Sequence, residues 1–181
     1  MDKLTQIMHL LVEFFAYAYI LIVVLRFLLQ LVRADFYNPL SQFIVKATNP
    51  LIIPLRRLIP GLLGVDIASI ILALTLQMLA LQLLALILGH GWMEFFSLLM
   101  SSSRELIKLV LNIYFFSFII MVVVSWIAPY TSNPALSLVA SITEPVLRPI
   151  RQVVPPMGGL DFSVMIAMLA IVILKILIGV G

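Results

Sequence analysis

From Ile67 to Gly89 the chain runs without a charged residue, and only Ser69, Thr75, Gln77 and Gln82 interrupt the otherwise apolar stretch. A hydrocarbon layer about 30 Å thick is crossed at about 1.5 Å per helical residue, so roughly 20 mainly apolar residues make a spanning helix. Three further stretches qualify. Leu109 to Ala128 carries Asn112, Ser117 and Ser125 and ends in Trp126 ahead of Pro129, where an interfacial aromatic and a helix stop belong. Phe162 to Val180 is broken by Ser163 and by Lys175, which lies near enough to the end of the sequence to snorkel. Phe14 to Val32 contains Arg26, a costly group in lipid unless it reaches an interface, water or a protein partner. With 64% hydrophobic and 10% charged residues, against about a quarter charged in a soluble domain, the chain reads as an all-α integral membrane protein. Ala16-Tyr17-Ala18 has the look of a signal cleavage site, but the apolar run continues well beyond it, as in a retained span.

The same composition narrows the chemistry. There is no cysteine, and the only histidines are His9 and His90, so thiolate and histidine-built metal centres are not expected. The 11 basic residues behind the net charge of +3 are spread thinly, which describes the flanks of membrane segments and not a nucleic-acid surface. Ser101-Ser102-Ser103 has no nearby histidine other than His90, no glycine-rich phosphate loop occurs, and the acidic residues are too scattered to pair. Neither an enzyme nor a cofactor is expected. His90 fits a solvated turn at a span end better than a haem or metal ligand. His9 either reaches lipid phosphate or fills an interfacial face.

Sliding the sequence against itself by 95 positions reveals a duplication. Of the 29 positions from 38 to 66, nine are identical: Asn38, Pro39, Thr48, Pro50, Pro54, Arg56, Pro60, Gly64 and Asp66 recur as Asn133, Pro134, Thr143, Pro145, Pro149, Arg151, Pro155, Gly159 and Asp161. The expected organisation is therefore a first repeat over 1–95, with spans at about 14–32 and 67–89, and a second over 96–181, with spans at about 109–128 and 162–180. An even number of spans per unit makes the repeats parallel, unlike the inverted repeats of many transporters.

Each repeat has a middle segment too short and polar to span. Asn38 as N-cap and Pro39 at the first helical position open a helix over about 39–49, in which Leu40, Phe43, Ile44, Ala47 and Leu51 recur at helical spacing opposite Ser41, Gln42, Lys46 and Thr48. Asn133 and Pro134 open its counterpart over about 134–144, with Ala135, Leu138, Val139, Ile142 and Val146 as the stripe. Such a helix lies in the interface or packs on the bundle; the pattern fits both. The proline density that follows, from Pro50 to Pro60 and from Pro145 to Pro156, predicts a non-helical loop at headgroup depth. Gly64 and Gly159 then allow a turn, and Asp66 and Asp161 stand where the next span needs a cap.

These residues resemble the YggT family of small membrane proteins. The motif is Glu144-Pro145, Pro149-Ile150-Arg151, Pro155-Pro156, Gly159 and Leu160-Asp161-Phe162-Ser163, with Ser125-Trp126 upstream; the first copy has Asn49-Pro50, Pro54-Leu55-Arg56, Pro60 and Asp66. The resemblance covers essentially the whole chain and implies a multi-pass protein of the bacterial cytoplasmic membrane, of the two-repeat type. It further implies roles of the kind linked to the family: cell division and envelope organisation, osmotic tolerance and ion uptake, or, in plastid relatives, haem assembly on a cytochrome b-type protein. The first copy departs from the pattern, with Asn49 in place of Glu144 and Gln30-Leu31 in place of Ser125-Trp126.

Arg56 and Arg151, kept between prolines in both copies, are the leading candidates, with Arg57 and Arg148 beside them. They bind anionic lipid, recognise a protein, or pin their loops through Asp66 and Asp161. For the aspartates, capping competes with coordination of a permeant cation. Glu13 and Lys108 are equivalent positions of opposite charge, and an inter-repeat ion pair competes with independent snorkelling. Two functions are in view: a scaffold or assembly factor working with membrane lipids and with a membrane-protein partner or a second copy of itself, and a small channel or transporter subunit whose path is lined by Thr75, Gln77, Gln82, Asn112 and Ser117. Single polar residues in spans more often bond between helices, which favours the scaffold.

Overall fold

The structure, a computed structural model, describes residues 2–59, 65–127, 133–154 and 161–180. The elements among the described residues are six helices: α1 (Lys3–Leu31), α2 (Pro39–Leu58), α3 (Ile67–Ile87), α4 (Phe95–Ile127), α5 (Pro134–Val153) and α6 (Phe162–Ile178). Among them, α1, α3 and α4, of 29, 21 and 33 residues, are long and apolar enough to cross a membrane, whereas α6 is apolar but has 17 residues. Two helices outrun their expected spans. α1 begins near the start of the chain and α4 at Phe95, because a helix that is stable in lipid continues into water until a capping signal stops it, while the charge-free window marks only its lipid-crossing part.

The predicted proline loops are helix. α2 continues to Leu58 through Pro50 and Pro54, and α5 to Val153 through Pro145 and Pro149. Each proline removes one N–H, so the carbonyls of Lys46, Pro50, Ser141 and Pro145 lose their partner four residues on. The spacing limits the damage. Prolines four apart share one stripe of the helix, and all four lie on its exposed side. The opposite stripe carries the packing, with Ile52 and Leu147 fully enclosed.

In the first copy the packed stripe is not the one expected. Ser41, Ile44, Thr48 and Ile52 are buried, while Leu40, Phe43 and Leu51 face outward. A threonine can face a core when its hydroxyl is satisfied locally: Thr48 Oγ1 donates to Ile44 O at 2.7 Å, and Thr143 Oγ1 to Val139 O at 2.9 Å. In lipid the outward leucines and phenylalanine carry no penalty. A hydrophobic stripe therefore does not identify the protein-facing side as it does in water. In the second copy Leu138 and Ile142 do face inward, beside Thr143 and Leu147.

Two compact units divide the chain. One comprises Met1–Phe27 and Ile44–Ile107 and buries Ile20, Val23, Val24, Ile52, Ala68 and Leu72. The other comprises Leu28–Phe43 and Lys108–Gly181, with a core of Phe118, Leu147, Val164, Ala167 and Ile171.

Candidate functional site

The two helix starts are built as their sequences suggest. Asn38 Oδ1 accepts from the backbone N–H of Leu40 at 2.9 Å, and Asn133 Oδ1 from that of Ala135 at 2.9 Å, with Pro39 and Pro134 next in line. Asn38 does more: its Nδ2 donates to the carbonyl of Pro134 at 2.7 Å, tying the start of α2 to the start of α5 within the second unit.

At the other ends of these helices stand the paired arginines. Arg56, in the last turn of α2, meets Asp66 through Nη2 at 2.7 Å and Nε at 3.3 Å. Asp66 also accepts from the Ser69 hydroxyl and backbone N–H as N-cap of α3. Burial would push this carboxyl up, but hydrogen bonds from Arg56 and Ser69 and the charge of Arg56 outweigh it and hold the group below the usual carboxylate range. In the second copy, Arg151 Nε meets Asp161 at 2.9 Å while Asp161 caps α6 through the N–H of Ser163. Desolvation is again outweighed, here by the Ser163 and Arg151 hydrogen bonds, and the Asp161 carboxyl lies low as well. Arg151 holds a second carboxylate, Glu144, through Nη1 at 2.9 Å.

Each arginine thus fastens the end of one helix to the cap of the next. Pro54 and Pro149 lie inside those helices. Arg57 and Arg148 are exposed and form no ion pair among the described residues. Pro60, Gly64, Pro155 and Gly159 fall outside the described residues. Glu13 and Lys108 fall in different units, and the side chain beside Glu13 is that of His9, with Nδ1 at 3.6 Å.

The sequence reading did not find the partners of Arg26. The side chain is 6% exposed, and its Nη1 donates to Thr48 Oγ1 at 2.6 Å, Asn49 Oδ1 at 2.8 Å and Val45 O at 3.2 Å. The available signal was the threonine and asparagine on α2, read there as an outer face and a departure from the motif. Lys175 likewise has an internal partner. Its Nζ bonds Asn112 Oδ1 and lies 5.1 Å from the Phe115 ring centre. Gln82, considered above as a pore residue, closes the turn after α3 by donating to Gly91 O at 3.2 Å and accepting from Met93 N at 3.1 Å. Gly89 and Gly91, at φ of 78° and 75°, give that turn the left-handed backbone it needs around His90. Among the described residues no three potential metal ligands converge.

The family model described as CCB3/YggT matches this chain twice, over residues 5–87 and 100–180. The chain belongs to the CCB3/YggT family. Its CCB3/YggT relatives include the uncharacterized protein YggT of Escherichia coli K12, 34% identical over 178 residues that cover 97% of this chain and 88% of the relative. An uncharacterized protein of Pseudomonas aeruginosa is 50% identical over 161 residues, 88% of this chain and 82% of its own length. One from the region 3′ of proC in Vibrio alginolyticus is 40% identical over 162 residues, covering 89% and 87%. No solved structure matches the chain.

Proposed function

We propose that this CCB3/YggT protein is a non-enzymatic scaffold or assembly factor of the bacterial cytoplasmic membrane, serving envelope organisation, cell division or the assembly of membrane proteins such as cytochromes. In this reading four spans form two parallel two-span repeats, with α6 as the fourth. The observation that carries it is the pinned amphipathic helix in each copy. α2 and α5 are each fastened by an Arg–Asp pair, and α2 turns Leu40, Phe43, Leu51 and Ile53 outward. Arg57 on α2 and Arg148 on α5 are exposed beside them. A rigid face that is apolar with a basic end suits lipid headgroups and a membrane-protein partner or second copy, since preorganisation lowers the ordering cost of binding.

The test is photocrosslinking in cells from Phe43 and Arg148, followed by identification of the adducts. Discrete protein adducts at both positions are expected. A channel or transporter subunit is the competing reading, and it is weakened because Gln82 and Asn112 already have internal partners. Selective ion flux in liposomes containing only the purified protein, together with no protein adduct from either helix, would put the channel reading in its place.

A further inference from the structure

Arg26 is 6% exposed, yet no acidic residue contacts it among the described residues. Its three bonds all leave from Nη1, and all three acceptors are neutral. A guanidinium has five N–H donors. Nε and Nη2 have no acceptor among the described residues. They are not enclosed either, since the buried unpartnered side-chain atoms are Ser41 Oγ and Ser102 Oγ. More than half of a charged donor set is therefore unused and reachable, although the residue as a whole is out of water.

The Asp66 carboxylate is already bound to Arg56 and Ser69. Arg26 itself has no carboxylate among its hydrogen-bond partners. The second copy shows what is missing. The position of Arg26 is occupied there by Met121 and that of Asn49 by Glu144, and Glu144 supplies Arg151 with a second carboxylate. That copy holds one guanidinium to two carboxylates. Where the second repeat carries its own anion on the helix, the first carries an asparagine beside a surplus cation. An unpaired buried charge is costly, so an external anion is the natural complement.

We infer that Arg26 and Asn49 form an oxyanion site that takes the phosphate of an anionic phospholipid as the missing counter-ion. A tetrahedral oxyanion matches the planar edge formed by Nε and Nη2, and the outward-facing lysine and arginine on the same helix, Lys46 and Arg57, favour a negatively charged headgroup. The inference does not depend on the scaffold reading. It concerns a structural lipid in one repeat, whichever activity the protein has.

The full chain in a zwitterionic detergent, titrated with phosphatidylglycerol, phosphatidylcholine or inorganic phosphate, supplies the test by its thermal unfolding midpoint. Phosphatidylglycerol should raise the midpoint saturably and phosphatidylcholine should not. Asn49→Glu places a carboxylate beside Arg26, and Arg26→Met removes the surplus charge as the second repeat does. Each should abolish at least half of the rise, while Asn49→Gln should keep it. An equal rise in the wild type and Asn49→Glu would overturn the site, as would no rise in the wild type. Full protection by inorganic phosphate alone would overturn the assignment to lipid.

Discussion

Asp66 and Asp161 occupy equivalent positions and pair with equivalent arginines, but the Asp66 side chain is 2% exposed and that of Asp161 30%. A carboxylate out of water depends more on its partner than one that keeps part of its hydration. Asparagine still caps a helix, so Asp→Asn removes the ion pair and retains the cap. Asp66→Asn should therefore lower the unfolding midpoint in detergent more than Asp161→Asn; equal losses would show that burial does not set the worth of the pins. The pH dependence has a fixed sign. Both carboxyls titrate below their ordinary value of 3.8 when folded, so their contribution is complete above that pH and is lost as the pH falls through the lower folded values. Between about pH 5 and pH 2 the wild-type midpoint should fall, and Asp66→Asn/Asp161→Asn should start lower and fall less. Replacing Arg56 and Arg151 together by glutamine separates two roles. A structural pin predicts loss of protein from the membrane fraction, whereas a pure contact to lipid or partner predicts normal abundance with lost cellular effect, read by immunoblot beside a growth assay.

At the level of single elements, the proline-bearing helices show where sequence reasoning stopped. Asn38, Asn133, Asp66 and Asp161 were legible because capping is local: each acts on an N–H two or three residues away. The course of the chain past Pro50 and Pro145 was not, since it depends on whether the lost hydrogen bonds fall on a packed or an open face, and only the tertiary structure decides that. Arg26 was illegible for the same reason, because its acceptors lie on a different helix, 19 to 23 residues along the chain. A peptide of residues 39–58 in anionic micelles should be partly helical by circular dichroism, and Pro50→Ala with Pro54→Ala should raise its helicity clearly, as each change restores one backbone bond. No increase would mean that the prolines do not limit the helix. In the intact protein the same double change should have a small effect on stability, because both prolines face outward.

For the whole molecule, orientation follows from charge. Arg33, Lys46, Arg56, Arg57, Arg148 and Arg151, joined by Arg26 through its bonds to α2, fall on the side of the two long connections, and Lys3, Arg104, Lys108 and Lys175 on the other. On the four-span reading proposed above, seven against four predicts the long connections in the cytoplasm and both termini in the periplasm. Reporter fusions at Gly181 should be active only for a periplasmic reporter; activity of a cytoplasmic one would reverse the orientation. The ion pair proposed for Glu13 and Lys108 is open to a charge-reversal test. If they pair, Glu13→Lys and Lys108→Glu should each destabilise the protein in detergent and the double swap should recover most of the loss, whereas additive damage would show that they do not interact.

With α6 as the fourth span, as proposed above, the unequal helices carry a consequence for the membrane itself. At about 1.5 Å per residue, the 33 residues of α4 extend about 50 Å and the 17 of α6 about 26 Å, on either side of a hydrocarbon thickness of about 30 Å. No single flat bilayer matches both. The long helix must tilt or project its first turns, with Arg104, Glu105 and Lys108, beyond the acyl chains, while the short one draws the lipid thinner or lets Lys175 reach inward to Asn112. A four-span protein with such lengths would carry a locally thinned annulus with it and would gather in membranes whose lipids bear that deformation most easily, so acyl-chain length becomes a variable that sets where it resides and how its neighbours crowd around it.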